Sequence, residues 1–158
     1  MTRTALVLLG WLYFAQQPAQ SLVIRGDGIR ERGFSRAELA AMPHREVSAK
    51  GHHDSTASTY SGIVVDDLLK LVGISADSLR RARSTMYVVV EAADGYRMLF
   101  SLAELDPSLS DKLVLLVDKQ NGKPLPDAAG PLRLVVPDEK REARWVRQVK
   151  TIVIRRAP

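Results

Sequence analysis

Three histidines, no cysteine and a crowd of cations near the C-terminus are the residues of this chain whose types could do chemistry. His52, His53 and Asp54 are consecutive, and imidazole with carboxylate is a donor set for a borderline metal or a polar substrate. Adjacent histidines on a turn tend to point apart, so a metal there needs a third ligand, which His44 supplies only if its strand lies alongside. The plain alternative is a solvated polar turn. Zero cysteine excludes disulfides, thiolate-held zinc, iron–sulfur clusters and cysteine nucleophiles together. The cations Lys140, Arg141, Arg144, Arg147, Lys150, Arg155 and Arg156 form a basic segment that can attract phosphate, nucleic acid or anionic lipid. Nucleic acid is set aside, because no aromatic-rich basic motif accompanies them. Asp66 and Asp67 fit the first turn of a helix, where carboxylates complement the macrodipole. Asp94 and Tyr96 fit a hairpin, the Asp in its turn and the Tyr in a cross-strand pair. No Ser/His/Asp order, Walker loop or dinucleotide fingerprint is present.

These residues sit on a chain of 158 residues with 46% hydrophobic and 26% charged side chains, enough for one domain with a real core. Its formal net charge is +5. The N-terminus reads as an export signal: a positive Thr2-Arg3-Thr4, an apolar run from Ala5 to Phe14, then the small and polar stretch Ala15 to Ser21. About ten apolar residues at ~1.5 Å each cover only half a bilayer, so a spanning helix is not expected. Residues 1–20 are therefore read as a signal peptide, with a mature domain over 21–158 and a periplasmic or secreted destination.

Strand patterns outnumber helical ones. Ser21 to Arg25, Arg45 to Ala49, Thr85 to Ala92, Tyr96 to Phe100, Lys112 to Val117, Leu132 to Val136 and Thr151 to Ile154 read as strands. Ser35 to Glu38 and Ser101 to Glu104 are capping boxes that open short helices before Pro43 and Pro107. Val65, Leu68, Leu69 and Val72 recur at helical spacing up to Gly73, and Ala76 to Arg83 reads as a further, more polar helix. Ala93-Asp94-Gly95 and Asn121-Gly122 are turn signals. Short, dispersed helices among many strands predict an α+β fold with mixed or antiparallel sheets.

Three stretches in order resemble the molybdopterin-binding domain of sulfite-oxidase-type enzymes. The first is Tyr60-Ser61-Gly62-Ile63 leading to Leu68-Leu69 and Gly73. The second runs from Asp94-Gly95-Tyr96 to Asn121-Gly122-Lys123-Pro124-Leu125-Pro126. The third is Gly130-Pro131-Leu132-Arg133-Leu134-Val135-Val136-Pro137, followed by Arg144-Trp145-Val146-Arg147. The resemblance implies a β-rich sulfite-oxidase-like domain with short helices and a molybdopterin cofactor. It also implies that Arg133, Arg144 and Arg147 lie near the pterin phosphate, and guanidinium forks suit phosphate. Each also has a structural explanation: Arg133 alternates with core residues, and Arg144 and Arg147 flank a buried Trp145.

The resemblance also implies a molybdenum-holding cysteine near Val47-Ser48-Ala49-Lys50-Gly51, and none is present. Neutral serine, as at Ser48, is a poorer donor than thiolate. The expectation is thus a binding module without molybdenum redox chemistry, with Arg133, Arg144, Arg147, His52 and His53 as its candidate contacts. Its ligand is a small anion, a pterin-like compound or a partner protein. The alternatives are an oxidoreductase, or a subunit of one, with a non-cysteine metal ligand, and a basic protein that meets a partner enzyme or membrane surface.

Overall fold

The computed structural model describes residues 20–51, 54–74 and 85–158. Ten strands occur among them in chain order: β1 (Gln20–Gly26), β2 (Arg32–Ser35), β3 (Arg45–Ala49), β4 (Ser58–Val64), β5 (Met86–Ala92), β6 (Arg97–Ser101), β7 (Leu115–Gln120), β8 (Lys123–Pro124), β9 (Arg133–Val135) and β10 (Val149–Arg156). Three short helices interrupt them: α1 (Arg36–Ala41), α2 (Val65–Leu71) and α3 (Leu102–Leu105). A 3-10 turn covers Glu142–Arg144. The expected helix over Ala76 to Arg83 and the expected signal peptide both lie outside the described residues.

The strands form two five-stranded sheets, one ordered β2-β1-β10-β5-β6, the other β3-β4-β7-β8 with β9 also paired to β7. Only β1 and β10 run parallel; every other described pairing is antiparallel, so the sheets are mixed as expected. Alternation explains why each sheet has one buried face. In β5, Met86, Val88, Val90 and Ala92 point into the core while Tyr87, Val89 and Glu91 do not. One contiguous core joins Leu22, Phe34, Val88 and Ile152 of the first sheet to Tyr60, Leu115, Val117 and Leu134 of the second.

Both capping boxes are present. Ser35 caps α1 and Ser101 caps α3, each accepting the N–H of the glutamate three residues on, whose carboxylate accepts the serine's own N–H. The Tyr60-to-Gly73 stretch divides into β4 and then α2, which ends in a Schellman pattern: Ile74 N–H donates to Leu69 O and Gly73 N–H to Lys70 O, both at 3.0 Å. Strand β2 carried no sequence signal, since Arg32-Gly33-Phe34-Ser35 has little alternation; it forms because it pairs with β1. Strand β7 starts at Leu115 rather than Lys112 and runs to Gln120, where Asn121 takes a φ of 51° in the hairpin turn.

Candidate functional site

A cleft of about 630 Å³ opens where the β3–β4 connection, the β5–β6 turn and the segment after β9 meet. Its floor is aromatic. Tyr60 and Trp145 meet edge to face, with centroids 5.6 Å apart and planes at 85°. Tyr60 gets there because β4 alternation turns it inward, and Trp145 is held by its indole N–H donating to Val136 O at 2.8 Å. Arg133 lies over both rings, its guanidinium carbon 5.2 Å from the Trp145 centroid and 6.0 Å from that of Tyr60.

Three carboxylates share the cleft with that guanidinium: Asp54, Asp94 and Glu142. Glu142 reaches Arg133 at 3.5 Å, and the Arg133 Nε is buried with no hydrogen-bond partner among the described residues. Burial pushes the Tyr60 phenol above its ordinary value; Arg133 opposes that shift, and the Asp54 and Glu142 carboxylates add to it.

The expected contacts separate. Arg133 and Arg147 line the cleft. Arg144 does not: its guanidinium is bonded to Glu104 and Glu139, each at 2.9 Å, and to Leu99 O at 3.2 Å, and it stacks 4.0 Å over Phe100. Both terminal nitrogens of its fork meet acceptors within the chain. His52 and His53 lie outside the described residues. His44, named as a third ligand to them, immediately precedes β3. Its Nδ1 is 2.7 Å from Met42 O and its Nε2 3.3 Å from Asp118. Among the described residues no three His, Cys, Asp or Glu side chains gather as metal ligands.

Tyr96 lies one residue before β6. Asp94 accepts its N–H at 2.9 Å, as a turn residue should, and the Tyr96 carbonyl accepts the Ala92 N–H across the hairpin at 2.9 Å. Its hydroxyl donates to Ala143 O at 2.7 Å and pins the 3-10 turn. Asp66 and Asp67 are both bonded by Lys70, at 2.8 and 2.9 Å, and Arg155 by Asp27, at 3.3 Å. Lys140, Arg141, Arg147, Lys150 and Arg156 remain exposed. Among the described residues no helix is long and apolar enough to cross a membrane.

Sequence reasoning missed Tyr60 as cleft floor and missed Glu142 altogether. The aromatic opening of the Tyr60-Ser61-Gly62 motif was a usable signal for the first. Glu142 had none, because its partner lies nine residues back across a turn.

The donor set can be tested against a molybdenum centre. A thiolate is absent, and Ser48 is exposed on β3 opposite Thr59, so strand alternation turns it away from the face that carries Tyr60. At the end of β3, a Cβ built on Gly51 would collide with the Glu142 carboxylate and come within 2.5 Å of that of Asp54. The space is filled by hard, anionic oxygens that face a guanidinium. These residues do not fit a thiolate-held metal.

The sequence model described as oxidoreductase molybdopterin binding domain matches residues 15–158. No curated protein matches significantly. Among solved structures the chain is similar to the sulfane dehydrogenase SoxCD from Paracoccus pantotrophus, with a TM-score of 0.66 and 20% sequence identity. That likeness covers 85% of this chain and 37% of the other, so this chain spans well under half of that one. At such identity the likeness is one of fold.

Proposed function

The chain belongs to the oxidoreductase molybdopterin-binding domain family, and from that premise we propose that it is an exported binding module working without molybdenum redox catalysis. The observation that carries this reading is the absence of cysteine from all 158 residues. A soft thiolate governs both the retention and the electronics of a metal such as molybdenum. What the cleft offers instead is an aromatic floor, a guanidinium and carboxylates, which bind and orient a ligand but supply no soft donor. Arg133 gives the site its polarity, and a small anion is the ligand that a planar fork over two rings suits best.

The test is elemental. Folded protein purified from its native exported compartment should carry far less than one molybdenum atom per chain, and stoichiometric molybdenum would overturn the reading. The export component is checked separately by N-terminal sequencing. The mature chain should begin near Ser21, and a chain that keeps Met1 in the cytosol rejects it.

A further inference from the structure

Glu142 is placed with more care than a surface glutamate needs. Its 3-10 turn is anchored on both sides: Tyr96 bonds Ala143 O at 2.7 Å, Trp145 N–H donates to Glu142 O at 2.8 Å, and Arg144 is locked to Glu104 and Glu139. The carboxylate so delivered rests against Gly51, where any side chain would evict it. Its bond to Arg133 is nevertheless poor. At 3.5 Å it is well beyond the ~2.7–2.9 Å of a good charge-assisted contact. Asp54, crowded against the same glycine, repels it.

A carboxylate held firmly by its backbone and weakly by its charge partner behaves as a competitor. We infer that Glu142 is a built-in occupant of the Arg133 anion site, displaced when a small oxyanion binds. The inference rests on the reading of the cleft as a ligand site and adds the class of ligand and its regulation. An entering oxyanion takes the guanidinium fork that Glu142 meets with one long contact. The apparent affinity of the free protein is lowered by the fraction of time Glu142 is in place.

Inorganic phosphate titrated into the whole mature chain by calorimetry at fixed ionic strength tests this. Glu142→Gln should bind phosphate about tenfold more tightly than the wild type, a shift of about 1.4 kcal/mol. Gly51→Ala, which pushes the carboxylate aside without changing net charge, should move affinity the same way. Asp94→Asn removes an equal charge from the same cleft while keeping an acceptor for the Tyr96 N–H, and should change affinity less than about twofold. Adding Arg133→Gln to Glu142→Gln should abolish binding.

Equal gains from Glu142→Gln and Asp94→Asn would reduce the effect to net charge and overturn the inference. So would equal, Arg133-dependent binding by the wild type and Glu142→Gln, although the cleft reading would then survive. If folded wild type and Glu142→Gln both ignore phosphate, the inference and the anion reading of the cleft fall together. Should Gly51→Ala not fold, the comparison of Glu142→Gln with Asp94→Asn still decides.

Discussion

Arg133 and Arg144 look alike in the sequence and do opposite things in the fold. Both belong to the segments that resemble the family, both stack on aromatic rings and both meet glutamate. Arg144 is satisfied: two carboxylates at 2.9 Å, a backbone carbonyl at 3.2 Å and a ring at 4.0 Å account for its fork and its face. Arg133 is not: among the described residues it meets one carboxylate, at 3.5 Å, and its buried Nε has no hydrogen-bond partner. A guanidinium whose two terminal nitrogens both meet acceptors within the chain holds elements together, here α3, β6 and the 3-10 turn. One whose donors are partly unanswered, in a cleft, has capacity left for a ligand. The difference lies in which partners the fold brings up, so residue type and family position cannot reveal it.

Stability separates the two most sharply. Arg144→Ala leaves Glu104 and Glu139 facing each other with only Lys112 between them, at 3.9 and 2.8 Å. Breaking a partly buried network from one side should cost about 2–3 kcal/mol, discounted from fully buried cases because these side chains keep some exposure. Arg133→Ala removes a stacked cation and frees Glu142 to hydrate, for about 1 kcal/mol. Urea midpoints of the two variants check the order. A larger loss at Arg133 would break the comparison, because it would make the cleft arginine the structural one.

The acid limb of stability sharpens it further. The Lys112 hydrogen bond holds the Glu139 carboxyl below its ordinary value, helped by the charges of Lys112 and Arg144. A carboxylate with a lowered folded value stabilises the fold fully above its unfolded value, and that contribution is lost as pH falls through the folded value. Glu139→Gln should therefore be less stable than the wild type near neutrality and should lose less stability on acidification. Unfolding midpoints measured from neutral pH down to the acid range give the two slopes. Parallel slopes would remove Glu139 from the network's charge balance.

Much of the scaffold was legible because its signals are local. Ser35 with Glu38 and Ser101 with Glu104 wrote their capping boxes within four residues, and Asn121-Gly122 wrote its turn in two. The ordered motifs from Tyr60 to Arg147 carried the family. The site was legible only in part. Arg133 and Arg147 were identified as contacts, but the sequence could not separate them from Arg144, whose partner Glu104 lies 40 residues away. Glu142 and the missing β-carbon of Gly51 form one feature assembled from two distant segments, and neither residue is unusual by itself. Strand β2 stayed hidden for the same reason, since pairing and not pattern makes it a strand. Local chemistry was readable; long-range partnership was not.

The smallest expected effect probes the cleft from its floor. Burial raises the Tyr60 phenol, and the Arg133 charge is the main force pulling it back. Spectroscopic titration of the phenols should therefore show one group ionising above the ordinary tyrosine range. Arg133→Gln should move that group further upward, while Glu142→Gln should move it slightly down. The sign carries to stability: a phenol whose folded value is raised ionises first in the unfolded chain, so the fold loses stability as pH rises from the unfolded value through the folded one. That alkaline loss should be steeper in Arg133→Gln than in the wild type. Arg144→Gln, which changes charge by the same amount outside the cleft, should leave the Tyr60 titration almost where it was. If the two arginine variants shift it equally, Tyr60 senses only the net charge of the molecule, and the contrast between a committed and an available guanidinium loses its electrostatic support.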